Sequence, residues 1–319
     1  MTNSPRVSIG MPVYNGEAFL EATLERLLGQ TLRQFEIVIC DNASTDRTRT
    51  IAEALAARDP RVRYVRNETN IGANVNFSRV ASLTTAPLFK WAAHDDLYAA
   101  TYLERCVGIL DGNPDVVMAH SDTVFIDEQG EPFAKGPAPG VWIEPVSGAS
   151  YTADPVDLGE ASSPLRRFAH VVFGSLWGTH MFGVIRRSAL DRTRLIQDLP
   201  SSDRPLLAEL ALLGRFQHVR EPLFFKRFHP RMTMALSERE LAAYVSGVGA
   251  DYSKRGRQMR VYMAAPEGKP VGWAMKIACR GIVLAYGAHV GIRVLRGQRH
   301  EAVRPAKAID HKKVTGSQS

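Results

Sequence analysis

Apolar and polar residues along the first part of this chain come in blocks whose period keeps changing. Val7–Val13 is short and almost wholly apolar, with Pro12 at its exit, and predicts a buried strand. From Glu17 to Leu28 the apolar residues Phe19, Leu20, Leu24, Leu27 and Leu28 fall at helical spacing. Phe35–Cys40 predicts a second buried strand, and a helix is expected from Asp46 through Ala57, ending ahead of Pro60. The alternation continues with a strand at Val62–Val65, a helix at Asn74–Leu83 and a strand at Leu88–Ala92. A helix at Tyr102–Leu110 and a strand at Val116–Phe125 complete it. Strands alternating with helices predict a parallel sheet with right-handed crossovers. Ligands of such sheets gather at the carboxyl ends of the strands.

The texture then changes. Glu128 to Pro164 is rich in Gly, Pro, Ser and Asp and too long for a plain connection, which predicts a lid, a binding loop or a disordered insertion. Regular patterning resumes at Val171–Arg186. A helix is expected over Ser201–Gly214, with Leu206, Leu207, Leu210 and Leu213 on one side, and a strand-like exit over Pro222–His229. Residues 238–319 read as helical and basic.

Composition narrows the classes. A hydrophobic content of 45% with 23% charged residues is that of a soluble globular protein. Cys40, Cys106 and Cys279 are far apart and form no CxxC pair, so neither a disulfide framework nor structural zinc is expected, and a reducing cytoplasm fits best. A strand begins almost at once, with no charged-then-apolar leader, so no cleaved secretion signal is expected. The net charge of +7 is concentrated late, in Lys254-Arg255-Gly256-Arg257, Arg260 and Arg293 through Lys313. No RNA-reading motif accompanies it, and nucleic acid is not an expected partner. Val271–Val294 is apolar but interrupted by Lys276, Arg280, His289 and Arg293, so it does not read as a spanning helix. A basic helix with an apolar face suits the surface of an anionic bilayer at the inner face of the membrane. It suits equally well packing on its own domain or on a sister subunit.

Three polar motifs stand at strand exits. Asp95-Asp96, in His94-Asp95-Asp96, offers adjacent carboxylates, which a hard divalent ion on a diphosphate needs as ligands. The same pair also suits the N-cap of the helix that follows. In Asp41-Asn42-Ala43-Ser44-Thr45-Asp46, helix capping explains Ser44 to Asp46 well and Asp41 poorly, whereas a carboxylate at that junction can accept the N–H of a pyrimidine ring. Pro12-Val13-Tyr14-Asn15 offers a rigid turn and an aromatic ring for a base.

In this order and spacing the motifs resemble the family 2 inverting glycosyltransferases of GT-A fold. The resemblance rests on Val7-Ser8-Ile9-Gly10-Met11-Pro12-Val13-Tyr14-Asn15, on Ile37 through Asp46, on Asn70-Ile71-Gly72-Ala73 with Asn76, and on His94-Asp95-Asp96. It is close over about residues 6–110 and looser to about residue 235. It implies an α/β GT-A domain over 1–235, Rossmann-like, its mostly parallel sheet flanked by helices. Residues 1–110 would be the nucleotide-binding half, 111–235 the acceptor half and 236–319 a helical basic extension. It further implies that Pro12, Tyr14 and Asp41 hold a uracil or thymine ring, with Asn15 and Asn42 in the same loops. Asn70, Gly72 and Asn76 would line the nucleotide pocket, Asp95 would contact the ribose or the metal, and Asp96 would ligate Mn2+ or Mg2+. Arg227-Phe228-His229-Pro230 is similar to an element that brings an Arg and a His to the diphosphate, with His229 a metal or phosphate ligand. Ser201 through Leu210 looks like the helix that supplies the acceptor base, Asp203, although an N-cap reading also fits its start. Trp177-Gly178-Thr179-His180 lies where acceptors commonly dock, with Trp177 suited either to stacking on a sugar ring or to the core. Two positions depart from the family: Ala93 where a further Asp is usual, and Ser202 where Glu is usual.

The expected activity is therefore metal-dependent transfer of a sugar from a UDP- or dTDP-sugar to a hydroxyl of a saccharide or lipid-linked acceptor, with homo-oligomerisation open. Two rivals are a nucleotidyltransferase, whose Gly-rich, basic loop after the first strand is missing here, and a nucleotide-sugar-binding protein without turnover. A dehydrogenase is disfavoured because no GxGxxG follows the first strand.

Overall fold

A computed structural model of the chain describes residues 4–232, 240, 244–245 and 254–295. It opens with β1 (Val7–Val13), α1 (Leu20–Leu28), β2 (Phe35–Asp41), α2 (Thr48–Arg58), β3 (Val62–Arg66) and α3 (Ala73–Ser82). There follow β4 (Leu88–Trp91), β5 (Leu97–Tyr98), α4 (Tyr102–Gly112) and β6 (Val116–Ile126). Three short strands come next: β7 (Ala134–Lys135), β8 (Val141–Ile143) and β9 (Ser150–Thr152). The second half adds α5 (Pro164–Gly174), a 3-10 turn (Thr179–Phe182), β10 (Val184–Arg186) and α6 (Arg187–Leu190). It continues with α7 (Asp203–Leu213), β11 (Arg215–Arg227), α8 (Lys254–Ala264) and α9 (Trp273–Leu295).

The main sheet has eight strands in the order β3-β2-β1-β4-β10-β6-β11-β5. The run β3-β2-β1-β4 is parallel, β10 is antiparallel to both neighbours, and β6 and β11 are again parallel. All seven residues of β1 are buried, as a strand covered on both faces requires. Gly10 is needed for close approach rather than for its backbone angles, since a Cβ there would lie 2.9 Å from the Phe89 ring and 3.0 Å from Val80. Leu20, Leu24 and Leu27 bury one face of α1.

Several boundaries differ from the expected ones for identifiable reasons. The first two helices start late because the Asp46 carboxylate accepts from both their approaches, at the N–H of Glu17 (3.0 Å) and of Thr48 (3.0 Å). Residues 128–164 are not a plain loop. They carry the three-stranded antiparallel sheet β7-β8-β9, which lies on the aromatic cluster of Phe125, Phe133 and Tyr151. Strands of two or three residues leave no periodicity to read. The region expected to be regular over 171–186 divides into a helix end, the 3-10 turn and β10. β11 begins seven residues earlier than expected, directly after Gly214, where a Cβ would lie 2.3 Å from Val117.

The described C-terminal helices join the same core through Tyr262, Ala265, Cys279 and Val283. Lys269 pins them to α7, its Nζ 2.9 Å from the buried Glu209 carboxylate and 2.7 Å from the Arg192 carbonyl. The remainder of the extension lies outside the described residues. All three cysteines are buried and free. Among the described residues no helix is long and apolar enough to cross a membrane.

Candidate active site

β2, β1 and β4 are neighbours in the sheet, so the three sequence motifs leave it side by side. Side chains then fasten them together. Asn15 N–H donates to Ser44 Oγ (2.9 Å), Thr45 N–H to Asn15 Oδ1 (2.9 Å) and Gly16 N–H to Thr48 Oγ1 (2.8 Å). Thr23, buried on α1, donates its hydroxyl to the carbonyls of His94 (2.9 Å) and Asp96 (3.0 Å). A Cβ on Gly16 would lie 2.8 Å from the His94 ring.

A cavity of about 390 Å3 opens at this junction, lined by Pro12, Tyr14, Asn42, Asn70, Asn76 and His94 among others. Its floor is an amide network. Asn42 Oδ1 accepts from Asn67 Nδ2 (2.9 Å) and from the Ile71 N–H (2.9 Å), while its Nδ2 donates to Asn70 Oδ1 (2.7 Å). Asn67 also donates to Asn76 Oδ1 (3.0 Å), and Asn76 donates to the Cys40 carbonyl (2.8 Å). Asn67, the hub, was not singled out from the sequence; an asparagine at a strand exit was the only signal. Gly72, at φ 83°, turns the chain into α3 without lining the cavity, and Asn15 serves the loop-to-loop bonds.

Asp41 stands differently from its expected role. Its carboxylate is fully buried and does not line the cavity. Oδ1 accepts from the Ser44 N–H (2.9 Å) and hydroxyl (2.5 Å), Oδ2 accepts from the Tyr64 hydroxyl (2.6 Å), and Arg66 lies 3.4 Å away. Closing its own turn therefore accounts for Asp41, contrary to the sequence expectation.

The acidic pair directly follows His94 of the cavity wall; Asp96 is buried and Asp95 partly so, and neither lines the cavity itself. Asp96 Oδ1 accepts from the Arg227 N–H (2.9 Å), whereas Asp96 Oδ2 has no hydrogen-bond partner among the described residues. Burial, with the Asp95 charge beside it, raises the Asp96 carboxyl above its usual range. Burial would also raise Asp95, but the His94 charge and the His229 hydrogen bond outweigh it and hold that carboxyl low. His229 Nε2 lies 3.0 Å from Asp95 Oδ2, and its Nδ1 is buried without a partner among the described residues. Arg227 does not reach out towards a ligand. Its guanidinium is spent on the carbonyls of Asp95 (2.8 Å), Asp127 (3.2 Å) and Glu128 (2.6 Å).

An orphaned carboxylate oxygen and an orphaned imidazole nitrogen suit a hard divalent cation, Mn2+ more than Mg2+ where the nitrogen takes part. Among the described residues no group of three or more His, Cys, Asp or Glu side chains is placed to hold a metal. A cation here would be shared between one or two side chains and ligand phosphates, as Mg2+ and Mn2+ sites on nucleotides usually are.

Asp203 opens α7 and is held against the 3-10 turn. A Cβ on Gly178 would lie 1.6 Å from Asp203 Oδ2, so this glycine, at φ 67°, is the surface on which the carboxylate rests. Burial, and then the nearby Asp154 charge, raise the Asp203 carboxyl, with Arg204 opposing. Ser202, standing where the family has Glu, is buried and accepts from Asn74 Nδ2 (3.3 Å), which ties the start of α7 to the cavity-lining helix α3. Trp177 packs on Phe228 (5.6 Å between centroids), the neighbour of His229, so the turn behind Asp203 and the arm behind Asp95 are in contact.

This arrangement is a GT-A fold, a form of the doubly wound sheet. S. aureus TarS 1-349 in complex with UDP aligns with a TM-score of 0.52 at 14% identity, over 92% of this chain and 93% of that one. Mannosyltransferase PcManGT from Pyrobaculum calidifontis, in complex with GDP-Man and Mn2+, aligns at 0.53 and 15%, over 92% and 76%. Residues 8–159, just under half of the chain, match Glycosyl transferase family 2.

Two relatives each match a part of the chain. A Bacillus subtilis protein named as a glycosyltransferase, EpsE, is 30% identical over 131 residues, 41% of this chain and 47% of that protein. The uncharacterized glycosyltransferase RT0329 of Rickettsia typhi is 33% identical over 119 residues, 37% and 36%. The matched segments thus span less than half of these curated relatives.

Proposed function

We propose that the protein is a metal-dependent inverting glycosyltransferase that moves a sugar from a UDP- or dTDP-sugar to an acceptor hydroxyl. The observation that carries this reading is the orphaned, buried Asp96 oxygen, two residues after the His94 that lines a cavity together with the Tyr14 ring and the Asn42, Asn70 and Asn76 amides. Tyr14 is 36% exposed and offers its ring face to a base. Asn70 Oδ1 is taken by Asn42 and by the Gly72 N–H (2.9 Å), which leaves its NH2 to donate to a base carbonyl. Asp41 supports this reading indirectly, by fixing the loop that carries Asn42.

Asp96 and His229 Nδ1 would hold the cation, which when bound neutralises charge on the departing diphosphate. Asp203 accepts the proton of the acceptor hydroxyl. The freed oxygen bonds to the anomeric carbon as the bond to the diphosphate breaks, its electron pair leaving with the diphosphate. Asp95 orients His229 through its 3.0 Å contact. A carboxyl raised by burial is the stronger base for that step.

The test is Asp203→Asn. Turnover should fall ~10²–10⁴-fold while nucleotide affinity stays unchanged; near-wild-type turnover removes the base assignment. Slow nucleotide release from the donor on adding Mn2+ separates a transferase from a pure binder, which releases none.

The acceptor is proposed to be a saccharide or lipid-linked saccharide of polysaccharide, glycolipid or cell-envelope glycan synthesis, met at a membrane surface. Supporting this, Trp273, Ile277 and Leu284 are exposed along one face of α9, opposite the buried Cys279 and Val283. Lys276 and Arg280 lie on the same helix, both paired with Glu267 (3.1 and 2.6 Å). Vesicles of anionic lipid should co-sediment the protein and neutral ones should not; concentration-dependent self-association without vesicle binding would instead assign the face to a second copy.

A further inference from the structure

A second cavity, of about 440 Å3, shares no lining residue with the first. It exists because of an interruption in the sheet. β10 pairs with β6 only at Met118 and Ala119, so that edge of β6 has no strand beside it until Ile126 meets Pro132. Between these points His120, Ser121, Asp122, Thr123 and Val124 line the cavity, and the small sheet roofs it with Trp142.

Its chemistry is polar without being cationic. His120 Nε2 and His180 Nδ1, each on a side chain 4% exposed that lines the cavity, have no hydrogen-bond partner among the described residues, the nearest carboxylate oxygen to His180 Nδ1 being Asp154 Oδ2 at 3.9 Å. Burial, together with the neighbouring His180 and His218 rings, holds His120 neutral. Asp154 is consumed internally by the N–H groups of Leu176 (2.6 Å), Trp177 (2.9 Å) and Thr179 (2.8 Å). Asp122 shares one oxygen with His218 (2.7 Å). Lys135 is the only Lys or Arg among the described lining residues. An anionic ligand would face two carboxylates there against one ammonium.

The cavity also adjoins the proposed base. Thr179 and His180 line it directly after Gly178, against which the Asp203 carboxylate rests.

We propose that this cavity binds one neutral sugar ring of the acceptor, against Trp142 and the open edge of β6. Neutral imidazoles, hydroxyls and unpaired backbone groups match a ligand that offers donors and acceptors in equal measure, and the indole offers the aromatic wall that pyranose C–H faces favour. The inference rests on the glycosyltransferase reading only for the word acceptor.

The test uses the full chain without donor and the methyl glycosides of glucose, galactose, mannose, rhamnose and N-acetylglucosamine as probes, followed by saturation-transfer NMR. At least one should bind, and its affinity should fall at least tenfold in Trp142→Ala and in Val156→Trp, which blocks the cavity from an exposed position. UDP affinity, measured in parallel, reads the other cavity and should hold within twofold. The proposal is overturned if no glycoside binds the wild-type protein, if binding survives Val156→Trp, or if glucose 1-phosphate binds tighter than methyl glucoside. Loss of the glycosyltransferase reading would appear separately, as absence of UDP binding.

Discussion

Replacing Gly178 by alanine probes the proposed base without touching it. The new Cβ would lie 1.6 Å from Asp203 Oδ2 and 2.7 Å from its Cγ, against ordinary contacts of ~3.5 Å, so the carboxylate must move by roughly 1.5–2 Å. Displacements of ~1 Å in a catalytic group cost about 100-fold in rate, so kcat should fall by at least that factor. Alanine at φ 67° also costs ~1–2 kcal/mol of stability. Gly268→Ala separates the two effects: its φ is 68° and nothing lies within 4 Å of a Cβ there, so it carries the backbone penalty alone. Initial rates of nucleotide release at saturating donor, with calorimetric nucleotide affinities, give the comparison. Gly178→Ala should lose turnover and keep nucleotide affinity, while Gly268→Ala keeps both. Wild-type kcat in Gly178→Ala, or an equal loss in both variants, would refute the placement of Asp203 at the reacting hydroxyl.

Three further outcomes follow from the same contacts. Tyr14→Ala should weaken nucleotide binding by ~1–3 kcal/mol, the usual worth of a base stacked on an aromatic ring, and unchanged calorimetric affinity would remove the stacking role. Because Asp203 is raised and must be deprotonated to act, kcat should fall on acidification through a pH above the ordinary carboxylate value of ~3.9; a flat profile down to pH 4 argues against it. Lys90 is fully buried, 3.9 Å from the centre of the Tyr98 ring, and burial pushes its ammonium down to about 7. The unfolded chain then binds the extra proton between pH 7 and about 10.5, so stability rises with pH across that window. The gain is at most about 5 kcal/mol relative to Lys90→Met, read from paired denaturant titrations, and a constant difference between the two proteins would contradict it.

The half of the site made by strand exits was legible because its signals are local. Apolar runs ending in Pro12-Val13-Tyr14, Asp41-Asn42 and His94-Asp95-Asp96 announce strands and their polar ends, and adjacency in a parallel sheet brings the ends together. What each side chain does there was less legible. Asp41 looked like a ligand group because no cap explained it, yet its partners Tyr64 and Arg66 come from β3, a pairing that no spacing reveals. Arg227 similarly spends its guanidinium on carbonyls from three separate positions. The open edge of β6 and its cavity depend on β10 ending after a few residues, which is a property of the sheet rather than of any motif.

The central claim is that a nucleotide-sugar occupies the cavity lined by Tyr14 and His94 and is turned over there. UDP-, dTDP- and GDP-sugars should be incubated one at a time with Mn2+ and protein, following release of the nucleoside diphosphate. At least one UDP- or dTDP-sugar is expected to release it faster than the spontaneous rate, with the excess lost in Asp96→Ala. Release at the spontaneous rate for every donor, or an excess that Asp96→Ala leaves intact, would contradict the account.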